Sequence, residues 1–228
     1  SRFTGRCPIV SSLSGQAKRA DEPPVVNVTV IDPGATLGVL GGGQLGAMFA
    51  TAARRLGYAV AVWDPDPEAP AHRFVDYSFI QPFTDPDARK DFTRLVRAVT
   101  YEWENVPADL CEQLEHEVPV RPSSRVLRVI QDRIEQKTFL RAHGLAVPAF
   151  SVLSSPEELS RHAVLGYPQV CKTATAGYDG KGQWRIDRAE DCAAVTQELT
   201  RTRRSGSRWI LEEWLPFERE LSILVVRG

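Results

Sequence analysis

Residues 36–46 read TLGVLGGGQLG, an apolar run that passes directly into a glycine-rich turn. An amphipathic helix pattern follows and ends at Gly57, which is typical of a helix C-cap. The predicted buried stripe of this helix is Leu45, Phe49, Ala52 and Leu56. Residues 59–64 (AVAVWD) then give a second apolar strand pattern. Strand, glycine turn, helix and strand in this order predict the start of a parallel α/β domain.

The glycine turn is compatible with two kinds of nucleotide site. Gly41, Gly43 and Gly46 satisfy the spacing G-x-G-x-x-G, and Asp64 follows 18 residues later, so the turn could belong to an NAD(P) site. The first N–H groups of the helix could equally hold the phosphate of another ligand, since they lack partners and lie at the positive end of the helix dipole. The spacing alone leaves both possibilities open.

The same alternation continues to about residue 122. Strand patterns at 75–80 and 99–104 flank a helix that Asp85 should cap, and a further helix and a short strand follow at 107–115 and 118–120. Because residues two apart on a strand face the same way, Glu102 and Glu104 could both point into a crevice at the edge of the sheet, or lie at a solvated strand end. We assign residues 35–122 to one α/β domain.

The second part of the chain has a different pattern. Residues 123–146 form a helical linker, in which Arg133 and Lys137 are four apart and share a helix face, a placement also common for solvated basic residues. Residues 147–228 mix strands, the last of them predicted at 220–226, with a capped helix near Pro156 and a helix whose predicted buried line is Cys192, Val195 and Leu199. This second unit is predicted to be α+β.

A glycine-rich loop lies inside this unit, between two strand patterns. Residues 172–183 read KTATAGYDGKGQ, with three glycines that let the backbone approach a ligand closely. Lys172 and Lys181 bracket the loop and could offset phosphate charge. The loop therefore indicates a lid over phosphates, although glycine spacing alone is also found in ordinary hairpins.

Composition limits the classes of partner. The chain has 228 residues with 28 Lys and Arg against 29 Asp and Glu, so its balance does not favour nucleic-acid binding. Its four cysteines lie far apart, which predicts free thiols in a reducing compartment, the cytoplasm. No apolar run approaches the length of a membrane helix. Residues 1–34 are predicted to be a flexible extension, with a short strand pattern at 25–31.

Several segments together resemble one family. GVLGGGQLG, TYEWENVP, IQDRIEQK, KTATAGYDGKGQW and ILEEWLPFERELSI occur in the order found in the 5-(carboxyamino)imidazole ribonucleotide synthase family of ATP-grasp enzymes. The resemblance covers about residues 36–228. It implies an α/β fold, a Rossmann-like preATP-grasp domain with a parallel sheet, followed by an α+β small lobe of an ATP-grasp domain. Such enzymes have a third part, a larger lobe, and we expect this chain to contain only its start.

The resemblance also implies roles for individual residues. Those matching ATP contacts are Arg133, Lys137, Lys172, Gly177, Tyr178, Asp179, Gly180, Lys181, Gly182, Gln183, Glu212, Glu213, Trp214, Leu215 and Glu220. Those matching positions that face the ribonucleotide substrate are Gly43, Gln44, Leu45, Glu102, Tyr178 and Lys181, and a catalytic role is implied for Lys172, Tyr178 and Lys181. Residues 212–215 match a hinge whose backbone reads adenine, and Glu220 matches an acid that holds the ATP ribose.

The implied reaction is an ATP-dependent carboxylation in purine biosynthesis. Bicarbonate attacks the γ-phosphorus of ATP to give carboxyphosphate, and the amine of 5-aminoimidazole ribonucleotide then accepts the carboxyl group. ATP and Mg²⁺ are the implied cofactors, with the metal ligands expected beyond residue 228, and a homodimer is implied for the full-length protein. The alternatives are a related ligase such as a formate-dependent glycinamide ribonucleotide transformylase, an NAD(P) oxidoreductase, and a non-catalytic nucleotide-binding module.

Overall fold

A computed structural model describes residues 30–175 and 182–225, without the side chains of residues 162–165. The first sheet has four parallel strands in the order β3-β2-β1-β4. These strands are β1 (Thr36–Leu40), β2 (Ala59–Trp63), β3 (Tyr77–Phe79) and β4 (Ala98–Tyr101). The predicted parallel α/β sheet is confirmed, and the strand pattern at 118–120 contributes only an isolated bridge between Val99 and Val120. Most of the strand pattern at 25–31 lies outside the described residues.

Three helices cover this sheet. They are α1 (Gln44–Arg55), α2 (Pro86–Leu95) and α3 (Ala108–Glu115). Asp85 caps α2 as predicted, because its side chain accepts the N–H groups of Asp87 and Ala88. Gly57 follows α1 with a φ of 87°, which confirms the predicted glycine stop.

The predicted buried stripe of α1 is wrong. Leu45 and Leu56 are 61% and 69% exposed, whereas Gly46, Ala50 and Ala53 face the sheet. Small residues on this face let the helix lie close to the buried strands β1 and β2. Of the predicted stripe, only Phe49 packs against this core, and it is half-buried, whereas Leu45, Ala52 and Leu56 are exposed.

The second sheet is antiparallel, in the order β5-β8-β6-β7. Its strands are β5 (Phe150–Leu153), β6 (Gln169–Thr173), β7 (Gln183–Ile186) and β8 (Trp209–Glu213). Helix α6 (Asp191–Thr202) packs on it through Cys192, Val195 and Leu199, which confirms the predicted buried line. Residues Pro156–Leu165 form a 3-10 helix where a helix was predicted.

Two helices connect the sheets, where one helical region was predicted. They are α4 (Ser124–Gln131) and α5 (Arg133–Ala142), separated by the single extended residue Asp132. The helices, both sheets and the segments that join them belong to one compact unit from residue 31 onward. No helix in the described ranges has the length and apolarity needed to cross a membrane.

Two strand predictions are wrong, one for residues 102–104 and one for residues 220–226. Strand β4 ends at Tyr101, so Glu102 and Glu104 lie in the turn that follows it rather than on one strand face. Residues 220–225 form no strand, and Leu221 and Ile223 are 86% and 81% exposed. A strand requires a hydrogen-bonded neighbour, and the described residues place none beside this segment.

The cysteines Cys111 and Cys171 are fully buried in the cores, which leads to a first prediction. Burial, with the nearby charge of Glu115, raises the pKa of Cys111 to about 11, and burial with the charge of Glu212 raises the pKa of Cys171 to about 12. At pH 8 only about one Cys111 in a thousand is then a thiolate, the reactive form. We expect neither thiol to be modified by iodoacetamide at pH 8 until denaturant is added, as peptide mapping would show. Rapid native modification at Cys111 or Cys171 would contradict the buried placement.

The same thiols set the sign of a pH effect on folding. Each keeps its proton in the folded protein above pH 9.0, the ordinary pKa, whereas the unfolded chain loses it there. Their contribution to stability is therefore fully present below pH 9 and is lost as pH rises toward 11–12. Denaturant midpoints measured between pH 8 and pH 10.5 should fall more in the wild type than in a Cys171→Ala variant.

Candidate functional site

The glycine turn before α1 is held by two carboxylates that follow the strands on either side of β1. The N–H of Gly42 donates to Oδ2 of Asp64 at 2.6 Å, and the N–H of Gly43 donates to Oε1 of Glu102 at 2.9 Å. Asp64 follows β2 and Glu102 follows β4, so both acids come from the carboxyl edge of the parallel sheet. This is the edge at which α/β sheets of this kind bind ligands.

Glycine suits this turn both for its backbone conformation and for the atoms that approach it closely. Gly41 has a φ of 93°, a conformation that other residues rarely adopt. A Cβ added at Gly43 would lie 2.7 Å from Oε1 of Glu102, and one at Gly42 would lie 2.9 Å from the Cβ atoms of Ala69 and Asp64. The turn therefore fits tightly between its two acids.

These hydrogen bonds change which groups could meet a ligand. The N–H groups of Gly42 and Gly43 already donate to carboxylates, whereas Gln44 and Leu45 begin α1 with exposed side chains and no acidic residue lies in the first turn. Glu104, the other acid proposed for the crevice, is exposed. The structure thus brings Gly43, Gln44, Leu45 and Glu102 together and leaves Glu104 outside the group.

The second group of predicted residues surrounds a buried carboxylate. Glu212 on β8 is only 3% exposed, and its Oε2 lies 3.0 Å from Nζ of Lys172 and 3.3 Å from Nζ of Lys137. Lys172 comes from β6 and Lys137 from α5, so three elements contribute. Oε1 of Glu212 is buried without a hydrogen-bond partner in the described part of the chain. We call Lys137, Lys172 and Glu212 the lysine–glutamate cluster.

Arg133 joins this cluster to the end of β6. Its backbone N–H donates to the carbonyl of Ala174 at 2.8 Å, and its Nη1 donates to the carbonyl of Thr173 at 3.1 Å. Lys137 lies one helical turn further along α5. Both side chains therefore meet the second sheet, as their shared helix face predicts, and their contact with a nucleotide stays a prediction.

The glycine-rich loop is described only where it meets the sheet. Gly182 has a φ of 71°, and its carbonyl accepts the N–H of Thr173 at 2.8 Å, while Gln183 begins β7 opposite Lys172. Gly177, Tyr178, Asp179, Gly180 and Lys181 lie outside the described residues. Their proposed roles at the phosphates and the substrate stay predictions.

The predicted hinge follows the cluster directly. Glu213 is exposed, and its N–H donates to the carbonyl of Ala149, whereas the N–H of Trp214 donates to that of Pro168. The guanidinium of Arg185 stacks 4.2 Å above the Trp214 ring. Leu215 is 56% exposed and Glu220 is exposed, so the end of the hinge presents open surface.

Three residues near the site were not predicted from the sequence: Gln131, Asp132 and Arg208. Asp132 caps α5 through the N–H groups of Ile134 and Glu135 and accepts a hydrogen bond from Arg208. Gln131 donates to the turn that carries Glu102. An aspartate immediately before a helical pattern was the available signal for Asp132. Nothing in the sequence indicated its partner.

Two protein-family models match the sequence. "Ribonucleotide synthetase preATP-grasp domain" matches residues 34–131, and "ATP-grasp domain" matches residues 138–228. The chain is 35% identical over 203 residues to the N5-carboxyaminoimidazole ribonucleotide synthase of Bacillus subtilis, an alignment covering 87% of this chain and 51% of that protein. The chain spans about half the length of the bacterial synthases that it matches.

Solved structures give the same relationship. An ADP complex of an N5-carboxyaminoimidazole ribonucleotide synthetase matches with a TM-score of 0.77 and 34% identity, over 84% of this chain and 50% of the other. An Aspergillus clavatus synthase in complex with ADP and 5-aminoimidazole ribonucleotide matches with a TM-score of 0.69 and 29% identity, over 81% and 47%. The similarity therefore extends to both sheets.

Proposed function

Because this chain belongs to the ATP-grasp family and is homologous to N5-carboxyaminoimidazole ribonucleotide synthases, we propose that it supplies the nucleotide-binding half of such a ligase. The proposed reaction is the ATP-dependent carboxylation of 5-aminoimidazole ribonucleotide by bicarbonate, through carboxyphosphate. The observation that carries the proposal is the lysine–glutamate cluster beside the glycine-rich loop. Relatives of this fold bind ADP, ATP and 5-aminoimidazole ribonucleotide.

The cluster has the charge that phosphate binding needs. Two lysines share one carboxylate, so the group carries a net positive charge, and Arg133 on the same helix adds another. Glu212 holds both ammonium groups in place, and a ligand phosphate would gain from cations that are already ordered. We propose Arg133, Lys137 and Lys172 as phosphate contacts, with residues 177–183 as the covering loop.

The adenine end would lie on the hinge. Residues 212–215 leave the sheet at Glu213, the N–H of Trp214 is held by the carbonyl of Pro168, and Leu215 is 56% exposed. We propose that this backbone reads the adenine edge and that Glu220 holds the ribose. Phosphoryl transfer requires mainly positioning and charge neutralisation, so no side-chain nucleophile is assigned.

The ribonucleotide would meet the start of α1. Its phosphate fits the first-turn N–H groups, which follow the two glycines already bonded to carboxylates. Glu102 keeps one oxygen on Gly43, and its second oxygen could accept a ribose hydroxyl. We propose Gly43, Gln44, Leu45 and Glu102 as this site, with Tyr178 and Lys181 reaching it from the loop.

Several finer assignments belong to the proposal. Within residues 30–175 and 182–225 no group of three or more His, Cys, Asp or Glu side chains could hold a metal ion, so no magnesium ligand is assigned there. Bicarbonate as the carboxyl donor and a homodimer of the full-length protein follow from the resemblance alone, and a cytoplasmic location follows from the four widely spaced cysteines. Sedimentation velocity of a full-length homologue would test the homodimer.

An NAD(P) site is the weaker alternative. Both oxygens of Asp64 accept backbone N–H groups, from Gly42 and from Asp66. The acid that should hold the ribose of the dinucleotide is therefore committed to the protein backbone. A formate-dependent transformylase or a non-catalytic nucleotide-binding module would share the cluster, and only turnover assays separate these from the carboxylase.

Calorimetric titration of this chain with ADP tests the nucleotide half of the proposal. We expect the wild type to bind ADP and a Lys172→Ala variant to bind it at least about tenfold more weakly, because a charge-assisted phosphate contact contributes about 1.5–3 kcal/mol. Arg188→Ala, an exposed residue on the segment before α6, is the control and should bind as the wild type does.

Two results would count against the proposal. Tight binding of NADH without binding of ADP would favour the dinucleotide alternative. In a full-length homologue, the substitution equivalent to Lys172→Ala should abolish phosphate release that depends on both bicarbonate and 5-aminoimidazole ribonucleotide. Unchanged turnover would remove this lysine from the mechanism.

A further inference from the structure

The break between α4 and α5 contacts both candidate sites. We infer that Gln131 and Asp132 are positioning residues, Gln131 for the turn that carries Glu102 and Asp132 for the cations of α5. The inference rests on the proposed function and deepens it. Neither residue is expected to touch a ligand. Gln131 should affect binding of the ribonucleotide, and Asp132 should affect binding of ADP.

Gln131 holds the turn that carries Glu102 through one amide group. Its Nε2 donates to the carbonyls of Glu104 and Val106, both at 2.7 Å, and an amide nitrogen carries one hydrogen for each. Val106 is fully buried, and the N–H of Glu102 donates to the carbonyl of Leu40 at 3.0 Å. The turn is thereby fixed at its start, middle and end. Its conformation determines where the Glu102 carboxylate meets the N–H of Gly43.

Asp132 holds the nucleotide side through its carboxylate. Oδ1 accepts the N–H of Ile134 at 2.8 Å, and Oδ2 accepts a hydrogen bond from the guanidinium of Arg208, just before β8. Asp132 is 8% exposed, so this ion pair is shielded on the carboxylate side. It fixes the start of α5 against the second sheet, and that start sets the positions of Arg133 and Lys137.

The two residues have separate sets of partners. Within the described residues, the side chain of Gln131 bonds to the turn at 104–106, and that of Asp132 bonds to α5 and to Arg208. Shared partners are one of the ways in which substitutions at neighbouring residues become coupled, and these two side chains have none in common in the described part of the chain. Substitution of one residue should therefore disturb one ligand and spare the other. General loosening of the linker would weaken both ligands together.

Two isosteric variants test the inference. Gln131→Glu replaces the two donated hydrogens by a carboxylate that faces two carbonyl oxygens, whereas Asp132→Asn keeps the helix cap but removes the charge that pairs with Arg208. Each variant is titrated with ADP and with 5-aminoimidazole ribonucleotide by calorimetry. Amide hydrogen exchange is followed for residues 102–106 and 133–137. Circular dichroism melting confirms that both variants are folded.

We expect a crossed pattern. Asp132→Asn should weaken ADP binding about tenfold, because it removes a charge-assisted hydrogen bond that positions the cations of α5. Gln131→Glu should change ADP binding by less than about twofold, because Gln131 has no partner on that side among the residues that the structure describes. Gln131→Glu should instead weaken the ribonucleotide and speed exchange at 102–106. An Arg208→Gln variant should weaken ADP binding as much as Asp132→Asn does. The double variant Asp132→Asn/Arg208→Gln should bind ADP no more weakly than either single variant.

The outcomes separate this inference from the proposed function. Equal loss of both ligands in both variants, or no loss in either, would overturn the positioning roles. If the wild type binds neither ligand, the proposed function fails, and the exchange data alone then decide. Faster exchange confined to 102–106 in Gln131→Glu and to 133–137 in Asp132→Asn would still support the two roles, and an identical pattern in both would reject them.

Discussion

Gly42→Ala should destabilise the protein by about 2–3 kcal/mol, the upper range for overpacking a tight site. The added Cβ would lie 2.9 Å from the Cβ atoms of both Ala69 and Asp64, and neither atom can rotate away because each is attached directly to the backbone. The glycine itself cannot shift freely. Its N–H donates to Asp64, and its carbonyl accepts the N–H of Ala71. Urea denaturation at neutral pH measures the loss as a lower midpoint at unchanged slope.

Gly43→Ala is the matched control, one residue further along the same turn. Its added Cβ would lie 2.7 Å from Oε1 of Glu102, the mobile end of a long side chain. The carboxylate can swing away, so the loss of stability should be about 1 kcal/mol or less, the net contribution of the one hydrogen bond that breaks. A Gly42→Ala variant as stable as Gly43→Ala would contradict the packing described for the turn.

Glu212→Ala should have the second large effect, a loss of about 3 kcal/mol in the free energy of unfolding. The substitution leaves Lys137 and Lys172, whose side chains are 16% and 26% exposed, facing each other without the carboxylate that they share. Removal of one partner from a buried ion pair is costly because the remaining charges stay poorly solvated. Thermal unfolding should shift downward by roughly 6–12 °C for a chain of this size.

Two comparisons make this result specific. Glu213→Ala removes an exposed acid from the next position on β8 and should stay within about 0.5 kcal/mol of the wild type. Adding Lys172→Ala to Glu212→Ala should restore part of the lost stability, because it removes one of the two repelling charges. A double variant less stable than Glu212→Ala would show that the lysine contributes by packing rather than by its charge.

Local chemistry made much of the fold predictable. The cap at Asp85, the stop at Gly57 and the buried line of α6 each depend on residues within a few positions of one another. The stripe of α1 was wrong because large apolar residues were expected to face the sheet. The fully buried face of α1 instead consists of glycine and alanine, with Phe49 half-buried at its side. Hydrophobic periodicity predicts that the segment is a helix, but it does not predict how closely the helix approaches the sheet.

The site was predictable in its residue types but not in its pairings. Lysines, glycines and acids were expected in the right segments, yet Glu102 and Gly43 are 59 residues apart, and Asp132 and Arg208 are 76 apart. Contacts over such separations depend on how the sheets assemble, which no local pattern contains. The carboxylates expected to receive a ligand are for this reason partly engaged by the protein itself.

Asp132 has an unusual place in the architecture, since it ends one helix and caps the next. The hydrogen bonds of Asp132 therefore cross the point at which the first domain passes into the second unit. A split version of this protein, made as two polypeptides that reassemble, should not be cut there. The exposed residues around Gly144, after α5, offer a cut that keeps both helices, the cap at Asp132 and the hydrogen bonds of Gln131 on one piece.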